Sequence, residues 1–566
     1  MIQQIKLEIK KYLEKYYLEK YQTAINIIVE EPKKAELGDI SIPMFSVVKT
    51  LRKPLPEITS EVKETLINNF KVIDSINVMG AFVNIMINKS EFANEVINTI
   101  LNEQEYYGNK DLGKDETIVL DYSSPNIAKS FSVGHLRSTM IGNSVKLILQ
   151  KCGYKTVSIN YLGDWGTQFG KMIVAYKLWG NKEEIMKDPI NNLTALYVKF
   201  HDEAAKNPKL DDEAREVFRE LELGNKEYLE LWKWIREESL KESAQIYDLL
   251  EVKFDSYNGE AYYNDKMEPV VDELREKNLL VTDQGAQIVD LGDDMPPALI
   301  KRADGGSLYI TRDLAAVFIR KKDYRFTKML YVVGNEQKLH FEQLRRLITK
   351  MGYDFADSIE HIGFGLYLTN GKKMSTRRGK VVKLYDVLQQ AIDLAYKAID
   401  QKNPTLENKD EIARKVGVAA IVFGDLKNQR ELDIEFNLES SVQFEGQTGP
   451  YLQYTGVRIA SILKDKNLDL SKINAKIYEK PHYFELVKLL SNFGSIVEKA
   501  ALDRAPSVIA KYLLSLAQSF NKFYSIEKIN ADEDDVRNTN FALAKCVRII
   551  LNEGLRLLGI HYLDQM

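Results

Sequence analysis

D-Y-S-S-P-N-I-A-K-S-F-S-V-G-H-L-R-S-T-M-I-G, Asp121 to Gly142, sits between two segments of different period. Ahead of it T-I-V-L is a short β-branched run suited to a buried strand. Behind it Leu136, Met140, Ile141, Val145 and Ile148 recur at helical spacing. The order is strand, loop, helix. The helix is expected to stop at Gly153, where K-T-V-S-I-N-Y-L starts a second strand. This predicts half of a doubly wound α/β unit, whose ligands lie outside the carboxyl ends of the strands, where helix N-H groups and dipoles favour anions.

Lys129, His135 and Arg137 place three cations or donors around that helix entrance, an arrangement suited to a triphosphate. A Gly-His pair alone equally suits a solvated loop with one core histidine. The whole string S-S-P-N-I-A-K-x-F-x-x-G-H-L-R-S-T, however, resembles the signature loop of class I aminoacyl-tRNA synthetases, in its arginyl-tRNA synthetase version. The resemblance implies ATP contacts from Ser132, Gly134 and His135, and arginine contacts from Asp121, Ser123 and Asn126. Ser132 stands where most class I enzymes have the first signature histidine, so a hydroxyl replaces an imidazole.

The 566 residues suggest about three or four domains. With 45% hydrophobic and 28% charged residues the chain can fill sizeable cores, and no apolar run is long enough for a bilayer. The N-terminus M-I-Q-Q-I-K-L-E-I-K-K-Y lacks the pattern of an export signal, so a cytoplasmic location is expected. Cys152 and Cys546 stand far apart without metal-ligand spacing and read as core thiols, with no zinc. A net charge of −4 does not mark a nucleic-acid binder, although Lys and Arg can gather on one face of an acidic protein.

Residues 1–112 read as a small α/β domain. Ile5, Ile9, Tyr12, Leu13 and Tyr16 give an amphipathic helix, and A-E-L-G-D-I-S-I-P-M-F and V-M-G-A-F-V-N-I-M-I-N give strands punctuated by Gly38 and Gly80. Both strings resemble the family's amino-terminal domain, which implies contact with the outer corner of a tRNA. The catalytic domain is expected over 113–385. Y-L-G-D-W-G-T-Q-F-G-K offers Gly163, Gly166 and Gly170 for close backbone approach to a ligand or for simple turns. Residues from about 172 to about 250 are helical and charged and read as an insertion.

F-D-S-Y-N-G-E, Phe254 to Glu260, leads to an expected hairpin at Asp283 to Gly285 and a turn at Asp304 to Gly306. In L-Y-I-T-R-D, Tyr309 is expected to end a strand, Thr311 to cap a helix and Asp313 to lie in its first turn. Asp313 is then either an ordinary dipole-stabilised acid or a ligand. A guanidinium substrate calls for carboxylates that accept its forked donors, and the resemblance assigns Asp121, Tyr309 and Asp313 to that pocket. Asn126 and Gln337, otherwise turn amides, are implied to hold arginine's amino and carboxylate end.

H-I-G-F-G-L-Y-L resembles the class I strand that receives adenine, near His361, Gly363 and Gly365. T-N-G-K-K-M-S-T-R-R-G-K as a bare charge run is a solvated face. K-M-S followed by T-R resembles the class I loop that closes over the triphosphate, implying phosphate contacts by Lys373, Met374, Ser375 and Arg377. Thr376 occupies the place of the loop's second lysine, and Lys129 is the residue expected to take over its contact.

Residues 386–440 read as a helical linking segment that, by the resemblance, packs beneath the catalytic domain and helps place the acceptor stem, and 441–566 as a helical bundle. Q-F-E-G-Q-T-G-P-Y-L-Q-Y-T-G-V-R resembles the start of the family's anticodon-binding bundle. Tyr451, Tyr454 and Arg458 share one helix face there, either touching tRNA or, for at least one of them, packing in the core. Residues 451–566 carry 16 Lys and Arg against 13 Asp and Glu, a tilt towards phosphate binding.

The expected architecture is an α/β Rossmann-like doubly wound parallel-sheet catalytic domain, with a small N-terminal α/β domain and a C-terminal all-α helical bundle. The implied function is that of the arginyl-tRNA synthetase family, acting on L-arginine, ATP carrying Mg2+ and an arginine tRNA. The chain is expected to act as a monomer away from membranes. The alternatives are a synthetase-like RNA-binding protein that has lost catalysis and a class I synthetase for another amino acid.

Overall fold

The computed structural model describes residues 2–32, 34–127, 129, 131–302, 309–373 and 382–566. Thr117–Asp121 is one of two inner strands of a four-stranded parallel sheet, flanked by Lys155–Ile159 on one side and Lys328–Tyr331 on the other, with Ile359–His361 at the far edge. Ile118, Val119 and Leu120 are all buried, as expected of a parallel strand covered on both faces. The chain crosses to Lys155–Ile159 and later returns to the opposite side of the first strand, so the switch point lies between Thr117–Asp121 and Lys328–Tyr331. Asp121 stands there opposite Tyr331.

The helix Val133–Lys151 crosses this sheet so closely that a Cβ on Gly142 would run into the ring of Tyr122. Its other face is covered as well. Ser144 Oγ donates to the carbonyl of Leu557, and Lys151 pairs with Glu553 at 2.9 Å, both partners buried. The covering helix, Asp534–Leu557, belongs to a C-terminal bundle with Gly449–Leu463, Pro481–Leu502 and Pro506–Ile526. Proline in the first turn suits three of these four helices, because the missing N-H has no partner in a first turn.

The N-terminal domain holds an antiparallel sheet in the order Ile40–Pro43, Phe82–Ile87, Ile73–Met79, with the helix Ile2–Tyr21 buried against it through Ile9, Leu13 and Tyr17. Its last helix, Lys89–Glu103, touches the C-terminal bundle through Phe92 against Phe484. The two ends of the chain therefore meet, and one core runs from the first helix through Val133–Lys151 to the last.

Five helices, from Thr167–Trp179 to Lys226–Leu250, form the insertion with a core of its own around Phe169, Ile173, Leu193 and Phe200. Gly170 allows its helix to approach the backbone of Ala214, so helix packing and not ligand approach explains this glycine. The hairpin Leu280–Asp283 to Ala286–Val289 turns at Gln284 and Gly285, both with positive φ, the geometry of a tight two-residue turn. Two expectations need correction. Tyr309 opens the helix Tyr309–Tyr324 and ends no strand, and the hydroxyl of Thr311 bonds the carbonyl of Ile300 and caps nothing. The turn expected at Asp304 to Gly306 lies outside the described residues. Cys152 and Cys546 are buried free thiols, and no described helix is long and apolar enough to cross a membrane.

Candidate active site

Asp121 ends its strand with a carboxylate turned inward. Oδ2 accepts from Arg320 Nη1 at 2.8 Å and Oδ1 from Ser124 Oγ at 3.0 Å, with both ionic partners almost fully buried. Ser123 and Ser124 follow with φ of 75° and 47°, a strained pair for non-glycine residues. Three contacts hold them. The Ser123 N-H donates to Ser138 Oγ, the Ser124 N-H donates to Asn160 Oδ1, and Ser123 Oγ lies 2.7 Å from the Tyr247 hydroxyl. The Ser123 hydroxyl is thus bound into the scaffold, with Thr139 Oγ1 a further 2.8 Å away. The loop then pairs with the second glycine segment, the Ile127 N-H to Gly163 O and the Gly163 N-H to Pro125 O. Asn126 Oδ1 occupies the space that a Cβ on Gly163 would need.

Ser132 caps the helix, and His135 closes a reciprocal capping box. The Ser132 N-H donates to His135 Nδ1 at 3.1 Å, and Ser132 Oγ lies 3.0 Å from the same nitrogen. A ring nitrogen that accepts an N-H is unprotonated, so the remaining proton sits on Nε2. Burial pushes His135 down to about 4, with Lys129 adding to the shift. The imidazole is therefore a neutral donor at the helix entrance, where a cation had been one of the possibilities. Gly134, one residue earlier, is exposed.

Arg137 departs further from expectation. Its guanidinium turns away from the entrance into the interior, where it pairs with Asp425 at 3.0 Å, and both side chains are 1% exposed. Lys129 is exposed and lies 5.9 Å from the Tyr197 ring, where the signature loop meets the insertion.

The acidic side of the site gathers three carboxyl groups. Asp313, expected in the first turn, lies in the second turn of Tyr309–Tyr324 because the helix starts at Tyr309, with Oδ2 2.7 Å from His340 Nε2. Glu260 pairs with Arg312 at 3.3 Å, and burial pushes its carboxyl up to about 7 against the pull of Arg312, with Asp313 and Asp164 also raising it. Burial raises Asp121 as well, Arg320 opposes this, and Asp313 adds to it, so Asp313 acts on both of the other acids. Arg320 lies 5.0, 5.6 and 5.9 Å from the rings of Tyr161, Tyr263 and Tyr331. The hydroxyls of Tyr161 and Tyr331, Arg312 Nε and Arg320 Nη2 are buried without a hydrogen-bond partner among the described residues. Buried polar atoms are seldom left so, and such a cluster suits a polar ligand. Glu260 was not singled out in the sequence, since F-D-S-Y-N-G-E shows only an acid after a glycine. The glycine is informative once folded, because a Cβ on Gly259 would strike Asp164 and the Leu162 carbonyl.

Gln337 is exposed at the end of the turn Asn335–Gln337, and Tyr309 is 67% exposed. Along the edge strand His361 stacks on Phe341, with centroids 4.9 Å apart, and its Nε2 lies 3.1 Å from the Val333 carbonyl. A cleft of about 650 Å³ opens there, lined by Asn335, Phe341, His361 and Gly363 among others. Gly365 is placed differently. Its Cβ direction meets the Leu432 backbone and its N-H donates to the Arg430 carbonyl, so it serves chain packing. Lys372–Lys373 pairs with Leu368 and Thr369 in a short hairpin. Met374, Ser375 and Arg377 lie outside the described residues, as does the side chain of Lys373.

In the bundle Tyr451, Tyr454 and Arg458 share a face. Arg458 Nη1 donates to Asn521 Oδ1 at 2.6 Å, Asn521 Nδ2 donates to the Tyr451 hydroxyl at 2.9 Å, and the Arg458 guanidinium lies 5.1 Å from the Tyr454 ring. Tyr451 is half-buried and Tyr454 is 39% exposed.

Comparison with known proteins covers almost the whole chain. The family model described as tRNA synthetases class I (R), catalytic domain, matches residues 95–438. Models for the arginyl tRNA synthetase N terminal domain and the DALR anticodon binding domain match 3–87 and 452–566. The chain is 50% identical over 540 residues to an arginine--tRNA ligase of Ligilactobacillus salivarius, covering 95% of each chain. It is also 50% identical over 543 residues to one of Lactobacillus johnsonii, covering 96% of each. Among solved structures, Thermus thermophilus arginyl-tRNA synthetase superposes with a TM-score of 0.82 at 24% identity, over 98% of this chain and 100% of that one, a likeness of fold.

Proposed function

The chain belongs to the arginyl-tRNA synthetase family, and from that membership we propose that it charges an arginine tRNA in two steps. A carboxylate oxygen of L-arginine attacks the α-phosphorus of ATP, forming arginyl-adenylate as pyrophosphate leaves. The 2′-hydroxyl of the terminal tRNA adenosine then attacks the arginyl carbonyl, and AMP leaves. Magnesium enters with ATP as part of the substrate. No covalent enzyme intermediate is needed, and the rate comes from alignment and from donors directed at phosphate charge.

The observation that carries arginine as the substrate is the pairing of the three acids. Asp121 is neutralised by Arg320 and Glu260 by Arg312, whereas Asp313 has no Lys or Arg within ion-pair distance among the described residues. Asp313 is thus the carboxylate that accepts a guanidinium, and its bond to His340 fixes its orientation. In this reading Asp121 acts at one remove, by holding Arg320 behind the pocket, and Ser123 by shaping the loop. Asn126 and Gln337 hold the α-amino and carboxylate end, and Tyr309 flanks the side chain. Ser132, His135 through Nε2-H, Lys129, Lys373 and Arg377 serve the phosphates, with Met374 and Ser375 in the same loop. Gly363 and His361 line the adenine cleft. Tyr454 and Arg458 offer a stacking face to tRNA. The protein works as a cytoplasmic monomer.

ATP–pyrophosphate exchange tests this reading, with arginine or its neutral isostere citrulline, and with or without the tRNA. Exchange should require arginine and be stimulated by tRNA. Equal exchange with citrulline would overturn the guanidinium pocket, and no exchange with arginine and tRNA would overturn the ligase.

A further inference from the structure

We propose that Arg137 is a positioning residue for adenylate formation, fixing the helix that carries His135 to the hairpin that carries Lys372 and Lys373. The inference rests on the ligase reading above and adds to it a part that makes no contact with substrate.

The guanidinium uses all three edges of its fork. Nε donates to Asp425 Oδ1 at 3.0 Å, Nη1 to the Leu432 carbonyl at 2.9 Å and Nη2 to the Arg430 carbonyl at 3.1 Å. The rings of Phe364 and Tyr367 lie 5.8 and 5.6 Å from its central carbon. A single buried side chain thus joins the signature helix to the segment that leads into the lysine hairpin, by its ring contacts, and by hydrogen bonds to the segment that leads into the strand paired with that hairpin.

The connection continues without a gap. The Arg430 carbonyl also accepts the Gly365 N-H, and the Ile434 N-H donates to Leu366 O at 2.8 Å. Ile434–Glu435 runs parallel to Tyr367–Leu368. The Glu435 carboxylate receives the N-H groups of Asn370 and Gly371, the second at 3.2 Å. Those two residues form the turn immediately before Lys372, with φ of 51° and 71°. Asparagine and glycine tolerate that conformation, and an anion across their N-H groups stabilises it. A lysine at 137 would keep the charge for Asp425, but a point ammonium cannot reproduce a planar fork spanning three acceptors. Hydrogen-bonded geometry between helix and hairpin would then loosen while both remained folded.

The two chemical steps separate this role from plain scaffolding, because only the first one needs the lysine hairpin against a triphosphate. The experiment compares the full-length protein with its Arg137→Lys and Glu435→Gln variants in single turnovers. One arm measures pyrophosphate release with arginine, ATP and tRNA, and the other measures transfer to tRNA from chemically supplied arginyl-adenylate. Arg137→Lys should slow adenylate formation about tenfold or more, consistent with the effect of small misplacements, with the KM for ATP and the transfer rate changing less than about twofold. Glu435→Gln, at an exposed position, should show the same one-step loss to a smaller degree. It decides the matter alone if Arg137→Lys does not fold. Equal loss in both steps, or no loss in adenylate formation, overturns the proposal. Absence of adenylate formation in the unaltered protein would overturn the ligase reading and this inference together.

Discussion

Asp313 and Glu260 differ in pairing, and the difference sets what each does when a cation arrives. Asp313→Asn keeps the shape and removes the charge. It should raise the KM for arginine about 10- to 10²-fold, from the ~1.5–3 kcal/mol that a hydrogen bond to a charged group is worth, and steady-state exchange kinetics would reveal it. Glu260 titrates near 7, above its ordinary range, because of burial. Its raised value favours the folded state at low pH, and that contribution is lost as pH rises through about 7. A guanidinium bound nearby lowers the value, so arginine binding at pH 6 to 7 should release protons, measurable by calorimetry in buffers of different ionisation enthalpy. His135 carries the opposite sign. Its value near 4 is depressed, so its neutral form supports the fold fully above the unfolded value of about 6.5 and is lost as pH falls towards 4. An NMR titration should therefore show no His135 ionisation between pH 6 and 8.

At the scale of elements, the close crossing of Val133–Lys151 over its strand depends on a missing side chain. Gly142→Ala drives a methyl group into the Tyr122 ring, which is buried with no room to move, and should destabilise the protein by ~1–3 kcal/mol in denaturant unfolding. Gly163→Ala meets chiefly the Asn126 side-chain amide, which can swing aside, while the Asn126 Cα at 3.4 Å is an ordinary contact. That change should leave unfolding nearly unaltered and weaken arginine binding, so the two glycine substitutions divide between stability and activity.

For the molecule as a whole, the helix Val133–Lys151 is a shared wall between the sheet and the C-terminal bundle. Lys151 is buried there against Glu553, and Arg556 also holds Glu553 at 2.7 Å. Lys151→Met removes one partner of a buried pair, which usually costs ~3–5 kcal/mol. The remaining Arg556 should keep the loss near the lower end, as measured by urea unfolding. Because one core runs from the first helix to the last, the loss should appear in a single transition shared by the bundle and the catalytic domain.

Local pattern was sufficient for the first two strands of the parallel sheet, the insertion helices, the hairpin at Gln284 and the bundle helices as segments, because each segment shows a period of two or 3.6, whereas the order of the strands joins residues more than two hundred positions apart. The G-H string likewise marked the N-terminal end of its helix. Tertiary structure decided which charges reach the site. Arg137 lies two residues from His135 yet turns inward, since Asp425 and two carbonyls from nearly three hundred residues away meet it there. Asp121 had the right position at a strand end, but Arg320 neutralises it. Glu260 entered the site only when Gly259 brought its backbone against Asp164. The free energy of a buried charge is fixed by partners distant along the chain, and no local period records them.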